Sequence, residues 1–373
     1  MVRAAYLMLA PSCHFQGGGK MKTRSIILAI AILAIVALTA CATPTAAPQP
    51  TAAPAQATAA PAQPTSAPAG KPFRIAMVMP SAANDLAFSQ SMVDALKKIQ
   101  TEMGKDNFEF VYSENMFNVT DAATAIRDYA TKGYDLILAH GSQYGAPLQD
   151  IAPDFPNTAF AWGTAVDTFK DKGINNVFAY TVASDQGGYV EGVIGAKLSK
   201  SHVLGALGPI PAGDGQLTIK GFEAGVKATD PNAKVQTTFT NSFSDVALMS
   251  QAAQTQIASG ADILTGTSQS VVGAVSVAKD KGALWFGNQS DQASLAPEIV
   301  VASQVYDWTG AVKEMMEKTK AGTRGGEVFI MTFANKGLVM VYNPAYKLPD
   351  DVKALADKTI AGLADGSIQT GIK

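Results

Sequence analysis

From Phe73 to the C-terminus, short runs rich in β-branched and aromatic residues alternate with longer segments whose apolar residues recur at i, i+3 and i+4. Strands separated by helices cannot pair as tight hairpins. They connect by crossovers and form parallel sheets covered by helices. The β-rich runs lie at 73–79, 108–112, 134–139, 158–162, 176–180, 202–207, 234–239, 263–265, 283–286, 300–305 and 328–333. Helical periodicity occupies 88–103, 120–131, 186–199, 215–228, 246–259, 270–281 and 309–319. So many strands exceed one ordinary open sheet, whereas two sheets of about five or six strands match the 373 residues. The predicted fold class is α/β, with two Rossmann-like lobes built on parallel sheets.

Hydrophobic residues make up 47% and charged residues 16% of the chain, the balance of a packed α/β protein and not of a disordered or polytopic membrane chain. The net charge of −2 conceals an asymmetry. Five of the 29 basic residues (Arg3, Lys20, Lys22, Arg24 and Lys71) precede residue 73, where no acidic residue occurs, so the remainder carries 24 basic against 31 acidic side chains. An acidic globule without a basic stripe has no field to hold a polyphosphate backbone, which argues against nucleic acid as a partner.

Ahead of the globule, Met21-Lys22-Thr23-Arg24 supplies a positive start, residues 25–37 an apolar run, and Leu38-Thr39-Ala40-Cys41 follows at once. This is the layout of a secretory signal peptide at 21–40. The apolar stretch 26–40 is shorter than the roughly 20 residues that cross a bilayer core, and a Pro-rich segment rather than a stop-transfer pattern follows. The basic start at Met21 marks residues 1–20 as an upstream extension from a misassigned start. Leu-Thr-Ala-Cys resembles the lipobox of bacterial lipoproteins, which implies cleavage before Cys41, a diacylglycerol on its thiol, and anchoring at the extracytoplasmic face of the cell membrane. Residues 42–70 contain only Ala, Pro, Thr, Gln, Ser and Gly. They cannot build a core and read as a tether, of about 90 Å if fully extended. Cys13 and Cys41 are the only cysteines, so the mature globule has neither a disulfide nor a thiolate metal site. His140 and His202 lack a partner at ligand spacing and read as strand-end or surface histidines; no metal or other cofactor is expected.

After the first β-run the chain reads Pro80-Ser81-Ala82-Ala83-Asn84-Asp85-Leu86-Ala87-Phe88, without a G-x-G-x-x-G for a pyrophosphate. A P-loop and a G-x-S-x-G are also missing, as is the first-turn aspartate cluster of a calcium-dependent nucleoside-cleaving enzyme. No nucleophile with a base in reach can be assembled, so catalysis is not expected. An exported two-lobed globule has a natural use in closing on a small molecule and presenting it to a membrane partner. Its ligand would lie beyond the carboxyl ends of the strands. The loops there supply Asn84, Asp85 and Phe88, then Ser142, Gln143 and Tyr144, then Asn241, Phe243 and Asp245, then Asn288, Gln289 and Asp291. A flat heteroaromatic ligand needs this pairing of ring faces, worth about 0.5–1.5 kcal/mol per aromatic pair, with in-plane donors and acceptors. Any single aromatic among them reads equally well as a plug under a loop; their shared strand-end location marks a site.

From about Phe73 the chain resembles the basic membrane protein family of lipoprotein solute receptors, which includes bacterial purine nucleoside receptors. The resemblance is carried, in order, by Asn84-Asp-Leu-Ala-Phe-Ser-Gln90, Gly188-Tyr-Val-Glu-Gly-Val-Ile-Gly-Ala196, Phe243-Ser-Asp245 before a helix ending Ser259-Gly-Ala-Asp262, Phe286-Gly-Asn-Gln-Ser-Asp-Gln292 and Lys336-Gly-Leu-Val339. It implies a type I periplasmic-binding-protein fold with a three-crossover hinge near Ala183, Gln304 and Phe333. Lobe 1 would then span 73–183, lobe 2 184–304, and 305–373 would return to lobe 1 before crossing back. It also implies that Phe88 and Phe243 sandwich a purine, that Asp85 accepts hydrogen bonds from the base edge, and that the partners are an ABC permease and its ATPase.

Two departures from the nucleoside receptors matter. Where they tend to read Gly-Val-Asp-x-Asp-Gln, this chain has Gly287-Asn-Gln289-Ser-Asp291-Gln292. Where they carry Thr-Ser-x-x-Lys, with a lysine that reaches the ribose, this chain has Ala302-Ser303-Gln304-Val305-Tyr306, followed by Asp307 and Trp308. The simplest expectation is that Tyr306 or Trp308 fills the sugar compartment and that the ligand is a free purine-like base, with a nucleoside second. A sugar or other small-molecule receptor, a sensor of the same fold, and a tethered nucleoside-processing enzyme are the competing readings. A monomer is expected.

Overall fold

Two six-stranded sheets organise residues 71–372, the part of the chain that the computed structural model describes. The segments read above as an upstream extension, a signal peptide, a lipidated Cys41 and a tether lie outside the described residues. No described helix is long and apolar enough to cross a membrane.

The first lobe opens with β1 (Phe73–Val78), α1 (Phe88–Met103), β2 (Phe108–Ser113), α2 (Val119–Thr131), β3 (Leu136–Ala139), α3 (Gly145–Ile151), β4 (Ala159–Gly163) and β5 (Val177–Val182). The second follows with α4 (Ser184–Leu198), β6 (Val203–Gly208), α5 (Gly213–Thr229), β7 (Lys234–Phe239), α6 (Val246–Ala258), β8 (Ile263–Gly266), α7 (Val271–Lys281), β9 (Leu284–Gln289) and β10 (Val300–Tyr306). Then come α8 (Thr309–Lys320), β11 (Val328–Met331), β12 (Leu338–Tyr342) and α9 (Asp350–Asp365).

The first sheet has the order β11-β5-β4-β3-β1-β2 and the second β12-β10-β9-β8-β6-β7. Every pairing is parallel except that of β12 with β10. Residues 75–78 and 136–139 are fully buried, the continuous apolar signature of central parallel strands covered on both sides. Because β11 returns to the first sheet and β12 to the second, the chain passes between the sheets three times. Those passages are tied together: Ala183 N donates to Met331 O at 2.9 Å, Asp307 N to Gly337 O at 2.9 Å, and Leu338 N to Thr332 O at 3.1 Å.

Three elements go beyond the sequence pattern. β12 is a five-residue run, Leu338–Tyr342, whose pairing partner β10 is remote in sequence. α3 begins on a glycine and contains Pro147, both poor helix formers. α9 buries a narrow face of Val352, Ala356, Thr359, Gly362 and Leu363, too small for a strong apolar signal. The second passage also differs from expectation: β10 runs to Tyr306, so Gln304 lies inside a strand and the chain leaves the sheet at Asp307 and Trp308. There Gln304 is fully buried and donates to Asn288.

The helix pair α4–α5 shows why this sequence is rich in glycine. A Cβ at Gly188 or Gly192 of α4 would stand 2.1 or 2.2 Å from the carbonyl oxygens of Thr218 and Phe222. One at Gly221 or Gly225 of α5 would stand 2.1 Å from those of Asp185 and Tyr189. Backbone meets backbone, so an added methyl finds no flexible side chain to displace. Gly192→Ala is therefore expected to cost about 1–3 kcal/mol of stability as an overpacked site. Gly310→Ala, in α8 with nothing within 4 Å of its Cβ position, is expected to be neutral or to gain up to about 1 kcal/mol. Urea midpoints of the two variants against the parent check both outcomes.

Candidate functional site

A cavity of about 420 Å³ lies where the carboxyl ends of both sheets meet. Its walls come from loops after strands of the first lobe (Pro80, Gln143, Thr164) and of the second (Asp214, Phe243, Ser268), with Gln289 at the end of β9. These are the positions at which open α/β sheets hold ligands.

Phe88, the first residue of α1, is 5% exposed and lines the cavity. One face of its ring lies flat on His140, with centroids 3.8 Å apart and planes at 2°. His140 Nε2 stands 3.0 Å from Phe88 O and Nδ1 2.8 Å from the Tyr180 hydroxyl. A carbonyl can only accept, so Nε2 carries the proton and Nδ1 accepts from Tyr180. Burial lowers the His140 pKa from 6.5 to about 3, despite the opposing bond to Phe88, and the imidazole is neutral at physiological pH. With both nitrogens engaged it is the strand-end histidine the sequence suggested. Trp308 stands edge-on to Phe88, His140, Tyr180 and Tyr306. The five rings form a buried floor, and Phe88 is the one of them that lines the cavity.

Asp85 sets that ring in place. Its Oδ1 accepts from Ala87 N at 2.9 Å and Gln90 N at 3.0 Å, and its Oδ2 from Ser81 Oγ at 2.6 Å and Ser89 N at 3.2 Å. The carboxylate thus satisfies the free amides that open α1, and it is not among the cavity-lining residues. The expectation that it reads a base edge is corrected: its acceptor positions are taken by three backbone N–H groups and the Ser81 hydroxyl. Asn84 is exposed beside it and does not line the cavity.

Across the cavity, Phe243 is half-buried, its carbonyl held by Ser268 Oγ at 2.6 Å. Phe88 and Phe243 line the same cavity, and the ring beside Phe243 is Phe117, 6.0 Å away and tilted 52°. Phe117, 59% exposed, was missed in the sequence although it stands in the loop after β2. Asp214 was missed too, and it lies in the loop and first turn after β6; applying the strand-end rule to every strand would have found both. Asp214 accepts at Oδ2 from Gln289 Nε2 at 3.1 Å and from the Tyr306 hydroxyl at 3.4 Å, and its own carbonyl accepts from Ser184. Burial raises its pKa above the usual carboxylate value, the two donors pulling the other way.

The remaining predicted residues divide. Gln143 and Gln289 line the cavity. Tyr144 is buried in the first lobe, its hydroxyl donating to Met116 O at 2.8 Å. Asp291 accepts from Ala293 N at 3.0 Å and faces a separate recess on the seam between the lobes. Tyr306 and Trp308 do not line the cavity. Trp308 is fully buried behind Phe88 with its indole N–H on Ser91 Oγ at 2.8 Å, so it fills the floor and not a sugar compartment, while Tyr306 reaches the cavity wall only through Asp214. Each of these departures has one cause: strand-end position selects a neighbourhood, and helix capping or core packing then claims individual side chains.

Two bonds join the second lobe directly to the Phe88 loop. Ser290 Oγ donates to Ala87 O at 2.7 Å and Gln292 Nε2 to Leu86 O at 3.1 Å. Gln292 is held for this by Trp285 Nε1, 2.9 Å from its Oε1. The arrangement stacks and hydrogen-bonds, and no metal-holding group of three or more His, Cys, Asp or Glu ligands occurs among the described residues.

A family model described as ABC transporter substrate-binding protein PnrA-like matches residues 73–365. The Purine-binding protein of Brucella abortus (strain 2308) is 29% identical over 300 residues, covering 80% of this chain and 83% of that protein. Basic membrane protein A of Borreliella burgdorferi is 26% identical over 295 residues, covering 77% and 85%. A solved ABC transporter solute-binding protein from Conexibacter woesei superposes with a TM-score of 0.67 at 25% identity, covering 80% of this chain and 98% of that one. A matched segment that takes in both lobes and the passages between them means that the chain belongs to the PnrA-like family of ABC transporter substrate-binding proteins.

Proposed function

We propose that the protein is a lipid-anchored extracytoplasmic receptor that captures a purine-like base or nucleoside between its lobes and delivers it to an ABC importer, through a permease and its ATPase. The observation that carries the ligand class is the Phe88 ring, backed flat by a neutral imidazole in a cleft that also holds Phe243 and the amides and hydroxyls of Gln143, Thr164 and Ser268. A rigid apolar face with in-plane polar groups suits a planar heterocycle. The purine-binding relative supports the same class. The anchor rests on the Leu38-Thr39-Ala40-Cys41 motif. A ligand touching both lobes stabilises the closed arrangement by its differential affinity, and the closed form is what the permease receives.

Calorimetric titration of a fragment from residue 71 with adenine, guanine, hypoxanthine, adenosine and inosine tests the reading. A free base is expected to bind; tight nucleoside binding with silent bases would replace the base by a nucleoside, and silence throughout would remove the purine. Phe88→Ala is expected to weaken binding about tenfold or more, since a base–aromatic stack is worth about 1–3 kcal/mol. Tyr112→Ala, exposed on β2, should leave affinity unchanged. Cys41→Ser is expected to shift the protein from the membrane fraction to the soluble one.

The neutral imidazole also sets a pH dependence. Between its ordinary pKa of 6.5 and the folded value of about 3, the unfolded chain takes up a proton that the folded one refuses, so stability falls as pH falls through that window. In His140→Gln the loss of stability between pH 7 and pH 4.5 should be smaller than in the parent by about 2 kcal/mol, read from urea midpoints.

A further inference from the structure

Glu191 lies in the middle of α4, inside the glycine-rich stretch Gly188–Ala196, and is the one buried glutamate among the described residues. No described lysine, arginine or histidine pairs with it. Its Oε2 stands 2.9 Å from Thr265 Oγ1, the Asn288 and Gln304 amides lie beside the carboxyl, and its Oε1 has no hydrogen-bond partner. The orientation of this network is fixed. Gly266 O can only accept, so Asn288 turns Nδ2 to it at 3.0 Å and Oδ1 to Gln304, whose Nε2 donates. Gln304 Oε1 is left against α4, 2.2 Å from where a Cβ on Gly187 would stand, and it too has no partner. Thr265 Oγ1 receives Asn288 Nδ2 at 2.9 Å and reaches Phe286 O at 3.4 Å. A hydroxyl has one proton. Given to a Glu191 carboxylate, it leaves the Phe286 contact without one and the charge with no cation. With a proton on Glu191 Oε2, that oxygen donates to Thr265, Thr265 donates to Phe286 O, and each contact pairs a donor with an acceptor.

We infer that Glu191 is the neutral acid of this network and a positioning residue for the second-lobe wall of the cleft, its proton tying α4 to the carboxyl ends of β8 and β9. Gly266 and Asn288 are followed by Thr267 and Gln289, which line the cavity, and Gln304 stands two residues before Tyr306, which donates to Asp214. The helix that holds Glu191 starts directly after the first passage between the sheets, so the network joins that passage to the wall. Burial pushes the Glu191 pKa well above 4.5, outweighing the bonds from Thr265, Gln304 and Asn288. Around it, β8 and β9 bring the neutral Thr265 and Asn288, and β10 brings Gln304 and the Tyr306 hydroxyl, with Asp214 of α5 behind Tyr306. Glu223 of α5 is turned to Thr237, and Lys353 and Asp357 of α9 pair at the surface. Above pH 4.5 the unfolded chain releases the Glu191 proton while the folded chain keeps it. Its contribution to stability therefore falls as pH rises, until the folded residue ionises as well.

Infrared spectra of the full chain decide the protonation state. With isotope-labelled glutamate, the parent at pH 7 is expected to show the shifted C=O band of a protonated carboxyl, distinct from any band of Asp214, and Glu191→Gln to lack it. The labelled parent carries this reading by itself should the variant fail to fold. Urea unfolding from pH 5.5 upward gives the second readout: the folding constant of the parent should fall relative to that of Glu191→Gln by about tenfold per pH unit. His140 acts in the opposite direction and is common to both chains. For the wall, hydrogen exchange over residues 264–268 and 286–290 should match the parent in Glu191→Gln, whose amide still donates to Thr265. In Glu191→Leu, or in Thr265→Val should that variant not fold, it should be at least about tenfold faster. A parent without the band, or equal pH dependence in parent and Glu191→Gln, would overturn the neutral acid. Exchange at parental rates in the Leu and Val variants would overturn the positioning role.

Discussion

A neutral imidazole lying flat against a phenylalanine holds the centre of this molecule. His140 follows β3 beside the end of β1, its amide on Val78 O, and its two ring nitrogens meet Phe88 O and the Tyr180 hydroxyl. Burial keeps the ring uncharged, and without that charge it can stack at 3.8 Å in an apolar floor shared with Tyr180, Trp308 and Tyr306. Those rings arrive from β5, from the passage after β10, and from β10 itself. The floor of the binding cleft is thus also the joint at which the two lobes meet.

Around that joint the chain uses backbone more than side-chain charge. The three passages between the sheets are linked by main-chain bonds at Ala183, Asp307 and Leu338. Helices α4 and α5 touch through four glycines, and Ser290 and Gln292 reach across to the carbonyls of Ala87 and Leu86. Ion pairs such as Lys98–Asp307 and Arg127–Asp154 lie at the surface, where screening leaves them little weight. A rigid second lobe hinged on hydrogen-bonded strands suits a receptor that must open and close without repacking its cores.

The cleft divides its work between the lobes. The first supplies a platform, made rigid by the four bonds to Asp85 and by the imidazole behind Phe88. The second supplies polarity, from Asp214, Gln289 and Ser268, with Phe243 and the first-lobe Phe117 at 6.0 Å closing one side. Where relatives of the nucleoside-receptor type are expected to carry an aspartate and a lysine, Gln289 and Tyr306 both turn to Asp214. The carboxyl group is still present on that wall, but it comes from the first turn of α5 and not from the end of β9.

Period and composition alone determined the alternation of strand and helix, the two-lobed parallel architecture and the strand-end location of the site, because each follows from local spacing and from the rule that parallel strands need crossovers. They also marked Phe88, Phe243, Gln143 and Gln289, all of which line one cavity. Local pattern could not say how each side chain's bonding capacity is used. Asp85 and Asp214 are both acidic residues after strand ends, yet one is engaged by groups within five residues of it, the Ser81 hydroxyl and the amides that open α1, while the other meets residues 75 and 92 positions away. Trp308 and Phe117 are both aromatic; one is fully buried behind the floor and the other stands at the mouth. Those assignments depend on contacts between segments remote in sequence, and they exist only once both sheets are wound and brought together.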